Sequence, residues 1–331
     1  MELRKRIWGV LAGVALGDAM GMPTECWSQE KIKKVFPNGI HQLYPADEND
    51  TFGRSLKAGA ITDDTINTLM ILKMLKKNQG RVQVEDYIKE LVEWNETSGV
   101  SSYVSGPSTL RALEKISNGV PVSETGIMGT TNGAAMKIAP IGIISDYQDM
   151  KQLVENVYQI CLPTHNTKIA IAGASAVAAA ISYAVRGGTA LDEIWKIAYK
   201  AIRVSQEYGY DFPSASLSLR MQKAQNILVQ ENYEPNSVLK RLYEEIGTGM
   251  ETIETIPSVF AIVELAEGNP WEAAKMCAML GWDTDTIGSI SCAICGGMNP
   301  VFPQKEIQQI EKENQLSFEN LASEMVTYLS I

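Results

Sequence analysis

Two short stretches of this chain carry carboxylates where nothing local can neutralise them. Between Met276 and Gln304 the charged side chains are Asp283 and Asp285 alone, within Gly281-Trp282-Asp283-Thr284-Asp285-Thr286-Ile287-Gly288. Between Ala58 and Leu72 they are Asp63 and Asp64 alone, within Ile61-Thr62-Asp63-Asp64-Thr65. An ionised carboxylate in apolar surroundings needs a counter-charge, hydrogen bonds or a cation to offset its lost hydration. A fold that holds both stretches must therefore solve the same problem twice, or solve it once by bringing them together.

Two readings of these residues stand side by side. As helix N-termini, the stretches would use Thr62 and Asp283 as caps, with the other acids favoured by the helix dipole. As oxygen ligands, four Asp flanked by Thr hydroxyls suit a hard divalent ion, Mg²⁺ or Mn²⁺. A cap needs one such side chain and each stretch offers at least three. The pair of stretches thus favours metal.

The rest of the sequence reads as helix after helix. Gly9, Gly13, Gly17 and Gly21 recur every four residues in the first apolar segment, about Glu2 to Met20. That rhythm implies a helix packed closely against a neighbour. Residues 28 to 58, with scattered Pro, Gly and Asp, read as a long surface loop. Apolar periodicity then predicts helices over about Thr62 to Lys77, Val84 to Asn95, Pro107 to Ser117 and Met150 to Cys161, with a short one opening at Asn132-Gly133. Thr164 to Val185, Leu191 to Glu207, Ser214 to Gln230, Asn236 to Ile246, Ile256 to Ala266, Pro270 to Met279, Thr284 to Cys295, Lys305 to Asn314 and Phe318 to Tyr328 follow. Strand-type alternation is almost absent and no linker is rich enough in Gly, Ser or Pro to divide the chain. The expectation is one all-α domain spanning residues 1–331.

Composition narrows the function. A net charge of −10 argues against nucleic acid as a partner, because neutralising phosphates takes a basic surface. Five Cys without framework spacing, Cys292-Ala-Ile-Cys295 among them, suggest a reducing compartment and a cytoplasmic protein. Only His41 and His165 exist, which excludes a histidine-rich metal site. Arg4-Lys5-Arg6 before Ile7 to Leu16 imitates a secretory signal, yet Asp18 and the glycine rhythm argue for a helix kept in the fold. No apolar run looks long enough to span a membrane.

Taken in order, several motifs resemble the ADP-ribosylglycohydrolase family. They are Gly13-Val14-Ala15-Leu16-Gly17-Asp18-Ala19-Met20-Gly21, Pro23-Thr24-Glu25, Thr62-Asp63-Asp64-Thr65, Asn132-Gly133 with Met136 and Pro140, Thr164-His165, and Asp283-Thr284-Asp285-Thr286-Ile287. The similarity covers roughly residues 5 to 300. It implies an all-α fold with a dinuclear Mg²⁺ or Mn²⁺ centre at the bottom of a central cleft. It also implies a metal-dependent hydrolase that cleaves the N- or O-glycosidic bond of an ADP-ribosylated protein or small ADP-ribosyl compound.

By the same resemblance Thr62, Asp63, Asp64, Asp283, Asp285 and Thr286 correspond to the metal ligands. Glu25 corresponds to the acid that activates water or gates the centre, and with Asp285 it makes the expected catalytic pair. Asn132, Gly133, Met136 and His165 lie where the family lines its ribose and phosphate pocket. Read as residues alone, Asn132-Gly133 is an ordinary turn, His165 a hydrogen-bonded structural histidine and Glu25 a surface acid after a helix end. Trp282 and Tyr103 are candidates to stack on a base. This chain has Ala60-Ile61 where many relatives carry Gln, and its loops at about 28 to 58 and 96 to 106 match no family motif. Two other functions therefore stay open: hydrolysis of a nucleoside or other small ribosyl compound, and a non-catalytic ADP-ribose-binding or structural relative.

Overall fold

The computed structural model describes residues 2–48, 50–99 and 105–329. Its centre is a pair of antiparallel helices, Glu2–Gly21 and Thr284–Met298. A Cβ placed on Gly9, Gly13, Gly17 or Gly21 would fall 2.0–2.3 Å from a backbone oxygen of Gly296, Cys292, Gly288 or Thr284 respectively. The four-residue rhythm is thus the footprint of one helix backbone lying directly on another. The register also carries function, because it sets Asp18 near the end of the first helix beside Thr284 and Asp285 at the start of the second.

The remaining helices wrap this pair. Lys168–Val185, mostly Ala, Ile and Val, is buried almost throughout and packs against Leu191–Val204 and Thr252–Leu265. With 18 residues and a mean hydropathy of 1.6 it is long and apolar enough to cross a membrane, which corrects the sequence reading. However, 89% of it is covered by the protein itself. Among the described residues there is no strand, only two isolated bridges, so the all-α expectation holds. All five cysteines are unpaired.

Three departures from the expected elements have local causes. The long 28–58 segment begins with a helix, Gln29–Val35, capped by Ser28, whose hydroxyl accepts from Lys31 N. It was hard to see because it buries only Gln29 and Ile32. The expected Thr164–Val185 helix starts at Lys168, because the Thr167 side chain caps it and residues 164–167 run as a non-helical stretch bonded to Gly126 and Gly129. The small-residue helix at Asn132 is two short pieces, Gly133–Met136 and Ala139–Ile144, broken at Lys137-Ile138 with Pro140 opening the second.

Candidate active site

The acidic stretches converge. Asp63 and Asp64 open the helix Asp63–Lys77, Asp285 lies in the first turn of Thr284–Met298, and both N-termini aim at one cavity of about 110 Å³. Its lining includes Glu25, Asp63, Asp64, Asp283, Asp285 and Thr286 on one side and Thr131, Asn132, Gly133 and Met136 on another. Phe52, Met250, Thr109 and the segment Ser105–Pro107 complete it.

The capping explanation fails for both stretches. Thr62 and Asp283 stand at the N-cap positions, yet neither side chain makes a capping bond. The cap of Asp63–Lys77 comes instead from Asp18, fully buried, whose carboxylate accepts from the backbone N–H groups of Thr62 and Thr65 and from the Thr65 hydroxyl. Asp18, inside the helix Glu2–Gly21, thereby ties that helix to Asp63–Lys77. Asp283 accepts from Asn132 Nδ2 instead, which ties the acid wall to the neutral one.

What remains is a set of carboxylates with too few donors. Asp64 is 1% exposed and its Oδ1 has no hydrogen-bond partner, while its Oδ2 has only the Thr62 and Thr286 hydroxyls, at 3.5 and 3.3 Å. Ligand oxygens of Glu25, Asp283 and Asp285 all lie within 4.8 Å of one another. Burial first, then the charge of Asp285, pushes Asp63, Asp64, Asp283 and Glu25 well above the usual carboxylate range. Such a cluster is costly unless protons or cations enter it. Orphaned, all-oxygen and crowded, it fits a hard divalent ion.

Glu25 is not a surface acid. It follows the 3₁₀ turn Met22–Thr24, and its Oε2 accepts from Arg54 Nη1 at 2.6 Å. Arg54 is itself nearly buried and also pairs with Asp50 at 2.8 Å, an acid that further accepts from the backbone of Phe52 and Arg54. No spacing or periodicity within residues 28–58 signals that this segment delivers a cation to the site. Two residues in the left-handed region frame the pair of acids: Cys26 at φ 61° directly after Glu25, and Trp282 at φ 69° directly before Asp283. Their two segments are bonded to each other, Cys26 N donating to Trp282 O and Trp282 N to Trp27 O. Strained backbone of this kind persists where the surroundings impose it.

Asn132, Gly133 and Met136 line the cavity, whereas His165 does not. The histidine is fully buried behind Gly133, on which a Cβ would come 2.8 Å from His165 Cε1. Thr62 is likewise absent from the lining and reaches the site only through its long contact to Asp64. Trp282 is 43% exposed beside Gly249 and outside the cavity lining, and Tyr103 lies outside the described residues.

An all-helical protein with paired acidic helix N-termini at the floor of a cleft is a defined class, and comparison with known proteins specifies it. The ADP-ribosylglycohydrolase family model matches residues 1–329, and the chain belongs to that family. It is 34% identical to the uncharacterized protein YegU of Escherichia coli, over 98% of this chain and 97% of that one. It is 24% identical to the ADP-ribosylhydrolase ARH3 of Xenopus tropicalis, over 88% and 86% of the two chains. A solved structure titled ADP-ribosylglycohydrolase-related protein complex shares the fold at a TM-score of 0.71, with 19% identity and 98% of both chains covered.

Proposed function

We propose that the protein is a divalent-cation-dependent glycohydrolase that removes an ADP-ribosyl group from an N- or O-linked acceptor, a protein side chain or a small molecule. The observation that carries this reading is the orphaned Asp64 Oδ1 inside a cluster of five carboxylates lining one cavity. Asp63, Asp64, Asp283, Asp285 and Thr286, with Glu25 at the edge, would hold Mg²⁺ or Mn²⁺, two ions by the family resemblance. When bound, such ions supply Lewis-acid polarisation and orientation of ribose hydroxyls and water.

The protein's own groups do the rest. Breaking the ribosyl bond builds positive charge at the anomeric carbon, and a wall of carboxylates stabilises that charge. Glu25, held at one oxygen by Arg54, keeps its other oxygen for a proton: it takes one from the attacking water or gives one to the departing acceptor. Asn132 orients Asp283, and Gly133, having no Cβ, lets this wall of the cavity close directly over His165.

A second reading has its own support. A cavity of about 110 Å³ is small beside the hundreds of Å³ usual for cofactor-sized ligands, and a lone ribosyl group suits it better than a whole ADP-ribose. Both readings are separable by one assay in Mg²⁺ or Mn²⁺, measuring free ADP-ribose and free ribose released from ADP-ribosylated protein, ADP-ribosyl small molecules and nucleosides. Release of ADP-ribose supports the first, release of ribose from nucleosides alone supports the second, and calorimetry showing no binding of either ion sinks both.

A further inference from the structure

Lys137, at the break between Gly133–Met136 and Ala139–Ile144, is 1% exposed, and no carboxylate pairs with it among the described residues. Its Nζ donates to Thr164 Oγ1 at 3.0 Å and lies 5.1 Å from the centre of the Tyr87 ring. Thr164 Oγ1 is 2.7 Å from His165 Nδ1, His165 Nε2 is 2.9 Å from Thr131 Oγ1, and Thr131 Oγ1 donates to Ser108 Oγ at 3.0 Å. Five side chains thus form one continuous line from the core to the cavity wall, where Thr131 is part of the lining.

We propose that Lys137 is a positioning residue that sets the direction of every hydrogen in this line, locks His165 as the neutral Nε2–H tautomer, and thereby fixes the Thr131-Asn132-Gly133 wall of the site. A lysine ammonium has donors and no acceptor. Thr164 must accept from it, so the single Thr164 hydroxyl proton goes to His165 Nδ1. The ring proton then sits on Nε2 and goes to Thr131, whose own proton goes to Ser108. The opposite polarity would leave the Thr164 hydroxyl accepting twice with its hydrogen unpaired in a buried setting. Burial, with Lys137 and Arg111 adding positive charge, also holds His165 well below its ordinary range and so uncharged. The neighbouring Cys161 supplies no counter-anion, since burial pushes its thiol up to about 12 even against the pull of Lys137.

The spectrum of the protein tests this without a substrate. His41 and His165 are the two histidines, so ¹⁵N-histidine labelling gives two rings, and His41→Gln assigns them. The expected His165 pattern is pure Nε2–H, unchanged from pH 5.5 to 8; an Nδ1–H or doubly protonated ring overturns the proposal. Lys137→Met is expected to produce mixed tautomers and Lys137→Arg to restore the single form. If the methionine variant fails to fold, Thr164→Val cuts the same link with the lysine in place, and a pure Nε2–H spectrum in a folded variant of either kind counts against it.

The link from this line to the cavity rests on the proposed function and has its own readout. ADP-ribose affinity in Mg²⁺ should weaken about tenfold in Lys137→Met while Mg²⁺ affinity stays as in the parent, and unchanged ADP-ribose affinity removes the positioning role. Failure of the parent protein to bind ADP-ribose would count against the functional reading, and the tautomer would still be decided by the spectrum.

Discussion

The two walls of the cleft bury charge in opposite ways. The acid wall, from Glu25, Asp63, Asp64, Asp283 and Asp285, crowds one sign of charge at the surface of the cavity, with Arg54 as its cationic partner. The neutral wall, Thr131 to Met136, shows the cavity no charge and keeps its cation, Lys137, a layer behind. The acid wall is left short of donors, down to an unpartnered Asp64 oxygen, whereas the neutral wall spends its hydrogen-bonding capacity internally through Thr164, His165 and Thr131. The first arrangement asks for something from solution; the second, apart from the Asn132 bond to Asp283, is satisfied behind the wall and can be rigid beforehand.

The largest effect should come from the acid that the others feel most. Asp285 raises the proton affinity of Glu25, Asp63, Asp64 and Asp283 by its charge. Asp285→Asn keeps the shape and removes that charge. Turnover should fall by about 10³-fold or more, as expected when several kcal/mol of electrostatic stabilisation is lost, with Mn²⁺ binding greatly weakened in calorimetry. The metal-free variant should nevertheless melt higher than the parent, because repulsion is relieved. A lower melting temperature would mean that the acid wall is not strained as described.

Glu25→Gln comes next, with a loss of about 10²–10⁴-fold in turnover as for other acid–base groups. The Arg54 contact can survive through the amide oxygen, so stability should change little. Turnover equal to that of the parent would take Glu25 out of the chemistry and leave it as an anchor for Arg54.

The third test sets the walls apart by pH. Burial holds Asp18 up to about 6, and it raises Asp63 and Asp64 as well. A carboxylate raised in the folded state binds a proton that the unfolded chain has already released, so it favours folding most at low pH. That contribution is lost as pH rises from about 4 through 6 and beyond. A bound cation reverses the penalty by favouring the ionised form. The gain in melting temperature from Mg²⁺ should therefore be small at pH 5 and grow to several degrees by pH 8. A gain independent of pH would show that the ion binds elsewhere.

The acid wall was legible in the sequence because a charge inside an apolar stretch is improbable without a reason, and Asp63, Asp64, Asp283 and Asp285 each stand in one. The same rule applied to the other wall would have found Lys137, the one charged residue between Glu124 and Asp146. It stands beside the Asn132-Gly133 motif, whose turn chemistry is the stronger local signal. The helices and the glycine seam were equally readable, since periodicity and four-residue spacing are local signals. Arg54 was not readable: its role depends on a loop without periodicity folding back over Glu25, and on Asp50 turning that loop, neither of which any spacing encodes. His165 was drawn towards the cavity by its motif, yet motif order says nothing about which layer a side chain occupies.

The smallest predicted effect probes the neutral wall alone. Gly133 separates the cavity from His165, and a methyl group there would press on the ring, 2.8 Å from Cε1 and 2.9 Å from Nε2. The imidazole is held at both nitrogens, so it has little freedom to retreat, and the wall itself must shift by a few tenths of an ångström. Gly133→Ala should therefore cost about 1 kcal/mol or slightly more, seen as roughly five- to tenfold weaker binding of the sugar ligand. Divalent-ion affinity should stay within twofold, because no carboxylate of the cluster touches this residue through its side chain. Equal losses of ligand and ion would show the two walls to be one mechanical unit, joined through Asn132 and Asp283, rather than a charged partner and a rigid one.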